Sequence, residues 1–254
     1  MRGKEAYIMK IIRGMAYGAY PENLMDIYLP EKQAFDTFLY MHGGGLEAGD
    51  REKDHVVYEY LAEKGIAVVS IDYRMYPAAK YPDFVEDAAA AAAWVHAHIG
   101  EYGGNGRVFV GGSSAGGYLS MMLCFDARWL GRHGLTAMDF AGFVHDAGQP
   151  TKHFNVLREC GIDTRRVIVD ETSALYHIGE DATYPPMQFI VSDNDMVNRY
   201  EQTMLTLSTL RHFGVPEEKL RLRVMQGKHC HYVRQEDENG SVLGQIVRDF
   251  IMNA

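Results

Sequence analysis

The sequence has little cysteine: three residues in 254, at positions 124, 160 and 230, with no Cys-x-x-Cys pair. So few and so scattered thiols exclude a disulfide framework or a cysteine zinc site, and are expected as reduced thiols. No His-x-x-x-His pair or carboxylate cluster has metal-ligand spacing, and the glycine-rich turn at 111–117 lacks the lysine of a phosphate loop. No metal and no cofactor is therefore expected. Positive charge is also short: 25 Lys and Arg against 34 Asp and Glu leave a formal net charge of −9. That balance repels phosphate backbones and anionic lipid, which argues against nucleic acid or a membrane as partner and favours a neutral or cationic small substrate. No apolar run approaches the roughly 18 residues needed to span a bilayer. The charged stretch from Met1 to Lys10 has no apolar core followed by a cleavage site, so it does not read as a secretory signal, and a cytoplasmic location is the expectation.

What the chain does have is alternation. Two apolar runs, from Ile11-Ile12 onward and over Met25–Leu29, read as an antiparallel opening pair, and residues 37–41 as a third strand that runs straight into His42-Gly43-Gly44-Gly45. A helical period over 51–64 stops at Gly65, followed by the fully apolar strand 66–71 and, after Pro82, a long helix to about Ile99. The alanine run at 88–93 lets that helix sit close against a sheet. Further strands are expected at 140–144, 186–191 and 220–225, the last alternating and half-exposed, with helices at 199–213 and 242–252. This order predicts one α/β domain over 1–254: a mostly parallel central sheet covered by helices on both faces. The irregular stretch 148–184 has no clean period and is expected as a small cap over the site.

The chemistry centres on residues 107–124, a β-branched apolar run, a glycine-rich turn and an apolar helical pattern. At the turn, Gly112-Ser113-Ser114-Ala115-Gly116 spells Gly-x-Ser-x-Gly, whose glycines leave room for a strained backbone that pushes the central hydroxyl outward. Ser114 is thus the candidate nucleophile. It needs a base, a group to orient the base, and donors for an oxyanion. Reacting groups in such sheets gather beyond the carboxyl ends of the strands. Asp193 and Asp195 follow one strand there, and His229 and His231 follow the next. The order serine, aspartate, histidine is that of an α/β-hydrolase.

On these residues, with Asp72-Tyr73-Arg74, Pro77, Tyr81-Pro82, Glu86-Asp87, Ser192-Asp193-Asn194-Asp195 and Gly227-Lys228-His229-Cys230-His231, the chain resembles α/β-hydrolase-fold serine esterases. It is similar to their hormone-sensitive-lipase-like and bacterial acetyl or feruloyl esterase branches over almost its whole length. The resemblance implies that Ser114 attacks an ester carbonyl, that the amides of Gly44, Gly45 and Ala115 form the oxyanion hole, and that His42 helps hold the glycine loop. It implies Asp195 as the acid, three residues after the small Ser192, with Asp193 as the alternative and Asp170 a weaker one. For the base, relatives place the histidine after Gly-x-x and before an aromatic; here Gly227 lies two before His229 and four before His231. His229, nearer the strand end, is preferred, and His231 stays open. His145, His153 and His177 receive no role. The implied activity is a serine carboxylesterase on short acyl esters, acetyl or aryl, of sugars among others. An arylformamidase or related amide hydrolase is the alternative, and a non-catalytic small-molecule binder a third. A homodimer is left open, since many such esterases pair.

Overall fold

Apolar runs buried on both faces pair edge to edge when helices cover them, and six of the eight strands of the central sheet are mainly buried, the two edge strands being exposed. The computed structural model describes residues 9–179 and 183–254; the amino-terminal segment through Ile8 and three residues of the expected cap lie outside them. The strands are β1 (Lys10–Ala16), β2 (Leu24–Leu29), β3 (Phe35–Met41), β4 (Ala67–Ile71), β5 (Gly104–Ser113), β6 (Gly142–Asp146), β7 (Met187–Asn194) and β8 (Leu220–Lys228). They form one sheet in the order β1-β2-β4-β3-β5-β6-β7-β8. β1 and β2 pair antiparallel and β2 meets β4 antiparallel; from β4 to β8 every pairing is parallel. The helices are α1 (His55–Glu63), α2 (Asp83–His98), α3 (Ala115–Phe125), α4 (Ala127–Gly131), α5 (Phe154–Glu159), α6 (Arg199–His212) and α7 (Val242–Met252). Between α7 and β8, Glu236–Asp237 and Gly240–Ser241 form a small hairpin. No helix among the described residues is long and apolar enough to cross a membrane.

Strand alternation sends alternate residues to opposite faces, and the core divides accordingly. Phe35, Leu39 and Met41 of β3 join a cluster with α2, α3 and α6, whereas Phe38 and Tyr40 join one with α1 and α7. In α2, Ala88, Ala89, Ala91 and Ala92 are all buried, so the alanine run is the surface that brings this helix close to the sheet.

Three elements differ from the sequence reading. α1 begins at His55, because the residues before it enter polar contacts: Arg51 pairs with Asp26 and Asp72, and the Asp54 carboxylate accepts from the Tyr40 hydroxyl. β8 is an edge strand, so Leu222 and Val224 are exposed rather than half-buried, and only Leu220 is buried. The stretch after Gly148 contains α5 and packs on the glycine loop, where Asn155 Nδ2 donates to the Gly45 carbonyl at 2.8 Å.

The order of β3 and β4 matters most for the site. The chain runs from β3 out to β4 and then back across to β5 on the other side of β3, so the crevice beyond the carboxyl ends of β3 and β5 is a topological switch point. Met41 pairs with Gly112 there, which places the glycine loop after β3 beside the turn after β5.

Candidate active site

The turn after β5 is as tight as a backbone permits. Ser114 has φ of 57°, a left-handed value that costs a non-glycine residue and that its surroundings enforce. A Cβ on Gly112 would lie 2.3 Å from the Met41 carbonyl oxygen, and one on Gly116 would lie 1.9 Å from the same atom. Only glycine fits at either place, which is the physical content of the Gly-x-Ser-x-Gly pattern. The Ser114 amide donates to the Asp146 carbonyl at 2.7 Å, tying the elbow to β6.

Cross-strand register supplies the partners. Asn194 pairs with Lys228 at the ends of β7 and β8, so the next residue on each strand, Asp195 and His229, emerge side by side. His229 Nδ1 donates to Asp195 Oδ1 at 2.5 Å, and the Ser114 hydroxyl donates to His229 Nε2 at 2.8 Å. A carboxylate only accepts, so one neutral tautomer, protonated at Nδ1, satisfies both contacts. The Asp195 side chain is fully buried. Burial pushes its carboxyl up, but the hydrogen bond and charge of His229 and the amides of Met196 and Ser192 outweigh that and hold it below the usual carboxylate range.

The other acid and base candidates stand elsewhere. Asp193 accepts the Gly227 amide at 2.8 Å and closes the turn between the two strand ends. His231 contacts Gln235 at the surface. Asp170 pairs with Lys152 at 3.0 Å. His145 is buried against Ser120, with its pKa lowered to about 3 by burial; His153 caps α5; His177 lies near Asp126. Among the described residues no group of three His, Cys, Asp or Glu side chains could hold a metal ion.

Gly43, Gly44 and Gly45 face Ser114 and His229 across a cavity of about 390 Å3. Gly44 and Gly45 have φ of 138° and 67°, and the Gly44 carbonyl accepts the amides of Glu47 and Ala48, which turns the loop. Ala115 opens α3, where its amide has no carbonyl within the helix to donate to. His42 anchors the loop from beneath: it stacks on Tyr73 at 4.4 Å between ring centroids, and its Nδ1 meets the Gly43 carbonyl at 2.9 Å. Burial lowers its pKa and keeps it neutral. The Tyr73 hydroxyl donates to the His42 carbonyl at 2.8 Å, while Arg74 clamps Asp87 of α2. The Asp72-Tyr73-Arg74 motif therefore braces this loop. A Cβ on Gly44 would meet the Ala48 carbonyl oxygen at 1.8 Å. If Ser114 carries turnover, Gly44→Ala is expected to lower kcat/KM by about 100-fold or more, with far-ultraviolet circular dichroism unchanged; a loss under tenfold would show that the loop tolerates displacement.

A second carboxylate sits behind Ser114, and sequence reasoning missed it. Asp146, which ends β6, accepts hydrogen bonds from the Ser113 and Tyr232 hydroxyls, and Tyr40 bridges Ser113 and Asp54 at 2.9 Å each. Its one legible signal was an acidic residue closing an otherwise apolar buried strand. Burial pushes its pKa up to about 6 against the lowering effect of the two hydroxyls. Since the unfolded value is about 3.9, the folded state retains this proton longer, and its contribution to stability falls as pH rises from about 4 through 6. Tyr232→Phe removes a donor that the ionised form needs. It is expected to cost about 1–3 kcal/mol in urea unfolding near neutral pH, and less near pH 5; an equal loss at both would mean that the carboxyl is not the linked group.

A parallel sheet with a strained serine elbow at its switch point, and with a histidine and an aspartate converging on that serine from the next strand ends, defines an α/β-hydrolase architecture. The chain belongs to the alpha/beta hydrolase fold family, whose model matches residues 38–223. Among sequence relatives, Esterase LipI of Mycobacterium tuberculosis is 38% identical over 104 residues, 40% of this chain and 32% of that protein. A probable isoprenylcysteine alpha-carbonyl methylesterase of Arabidopsis thaliana is 33% identical over 111 residues, 42% of this chain and 23% of that protein. The matched stretch thus spans 23% to 32% of the length of these curated relatives. Among solved structures, an esterase B from Lactobacillus rhamnosus superposes with a TM-score of 0.77 at 20% identity, covering 96% of this chain and 85% of that one. A truncated carbohydrate esterase from gut microbiota superposes at 0.76 and 18% identity, covering 99% and 98%.

Proposed function

We propose that this protein is a serine carboxylesterase that hydrolyses short-chain acyl esters through an acyl-enzyme. The observation that carries the reading is the unbroken chain from Ser114 Oγ to His229 Nε2 at 2.8 Å and from His229 Nδ1 to Asp195 at 2.5 Å, opening on the glycine loop. In this scheme Ser114 Oγ attacks the ester carbonyl carbon as His229 Nε2 takes the hydroxyl proton, and the carbonyl π electrons move onto oxygen. The amides of Gly44, Gly45 and Ala115 stabilise that oxyanion where it forms. Collapse breaks the bond to the alcohol oxygen, which leaves with the proton from His229. Water, deprotonated by the same nitrogen, then attacks the acyl-serine, and the carboxylic acid departs as the Ser114 hydroxyl is restored. Asp195 holds the ring in the tautomer that both half-reactions need and stabilises its cationic form.

The segment after Gly148 fits the role of a small cap, since its Phe154 lines the cavity beside Ser114. Supporting the ester assignment is the naming of the sequence relatives as esterases. The test is turnover of 4-nitrophenyl acetate, butyrate and octanoate by the wild type. Hydrolysis that falls with chain length is expected; formanilide cleavage without any ester cleavage would overturn the reading in favour of an amide hydrolase.

A further inference from the structure

Beside the catalytic cavity lies a second one of about 600 Å3, and the two share Phe154 and Met196 as walls. Its lining is of two kinds. Val167, Met196 and Val197 present apolar surface, Val197 with 89% of its area exposed. Arg165, Arg166 and Arg199 bring three guanidinium groups, and among the described residues no aspartate or glutamate lines the cavity. Arg165 is neutralised by Asp163 at 2.6 Å. Arg166 is exposed and makes no ion pair among the described residues.

Arg199 is the unusual one. It opens the 14-residue helix α6 and is only 4% exposed. Its guanidinium donates to the Ala147 carbonyl and, at 3.4 Å, to Gln149 Oε1, both neutral acceptors. Among the described residues it has no carboxylate in contact, and the Asp195 charge that it senses is already engaged by His229. A buried cation without a counter-ion is costly, because its hydration is lost and nothing replaces it. Such a group at the wall of a cavity is matched when a ligand brings the missing charge, and a planar guanidinium matches a carboxylate fork. The amino-terminal turn of α6 points the same polarity at the same space.

We propose that this cavity receives a carboxylate carried by the substrate, held by Arg199 with Arg166 at the rim, so that the preferred esters bear a negatively charged carboxylate joined through an apolar stem to the scissile bond. The inference rests on the esterase reading and names its substrate class. It departs from the expectation of a neutral or cationic substrate drawn from the net charge of −9. Net charge governs long-range attraction, whereas selection at contact depends on the local partner.

The test compares charged esters with their methyl-capped, neutral counterparts of equal length. Mono-4-nitrophenyl succinate, glutarate and adipate carry the charge on the acyl side, and 3-(4-acetoxyphenyl)propanoate carries it on the alcohol side. In the wild type at least one charged ester is expected to exceed its capped partner in kcat/KM by about 30-fold. Arg199→Met should abolish that ratio through KM and Arg199→Lys should restore part of it. Arg166→Ala, at an exposed position, should reduce the ratio about threefold and keeps the proposal testable if Arg199→Met does not fold. A wild type that hydrolyses 4-nitrophenyl acetate but prefers every capped ester would overturn the carboxylate pocket and leave the esterase reading intact. Equal losses on charged and capped esters in Arg199→Met would make Arg199 a scaffold residue and also overturn the pocket. No turnover of any ester would overturn the esterase reading, and this inference with it.

Discussion

Replacing Ser114 by alanine is expected to lower kcat for 4-nitrophenyl acetate by roughly five to six orders of magnitude, with melting temperature essentially unchanged. The size of the effect follows because neither neighbouring group that could attack is set to replace Ser114. Ser113, its neighbour, turns its hydroxyl the other way, into the buried contacts with Asp146 and Tyr40. Cys230 lies 3.6 Å from His229 Nε2, but burial pushes its thiol well up and keeps it un-ionised. The residual rate should be what the glycine-loop amides and binding supply without covalent chemistry. Burst kinetics provide the check: the wild type should release a stoichiometric burst of 4-nitrophenol if deacylation is slower than acylation, and the variant none. A variant that kept more than about one percent of kcat would mean that Ser114 is not the attacking group.

The second large effect separates neighbours in sequence. His229→Ala should cost about as much as Ser114→Ala, because nucleophile and base act as a unit, whereas His231→Ala should stay within a few-fold of wild type. The reason is geometric: His229 bridges Ser114 and Asp195, while His231 faces Gln235 at the surface. Asp195→Asn should lower kcat by about 10,000-fold, since a side-chain amide that donates to Nδ1 favours the tautomer with its proton on Nε2, where it can no longer accept from serine. Asp193→Asn retains an oxygen to accept the Gly227 amide and should be nearly silent. Inverted results for either pair would reassign base or acid, and steady-state kinetics on the four variants decide it.

How much of this was legible beforehand differs by element. The elbow was legible because its constraint is local: Gly112 and Gly116 are needed wherever a strand turns this sharply into a helix, and they adjoin Ser114 in the chain. The buried strands were legible because burial on both faces demands nearly unbroken apolar runs, as in β4, where Ser70 is the one polar residue. The alanine face of α2 could be read because close helix-on-sheet packing needs small side chains. β8 misled for the same physical reason in reverse. Alternating Leu220, Leu222 and Val224 reads as a half-buried strand, but at the sheet edge no helix covers the exposed members.

By itself, then, the sequence determined the class of architecture, the position of the strained serine, the side-chain-free loop at 43–45 and the order in which serine, acid and histidine follow one another. These are properties of short segments or of their succession. Which of two histidines meets Ser114, and which of two aspartates meets that histidine, comes from the fold, because it depends on the register of Asn194 against Lys228, which no local spacing encodes. The fold alone brought Asp146 to Tyr232, 86 positions along the chain. It alone left the guanidinium of Arg199 buried beside a cavity with no carboxylate in contact among the described residues. Contacts of this kind arise from the packing of elements distant in sequence, where the energy of a charge is set by what surrounds it rather than by its neighbours along the backbone.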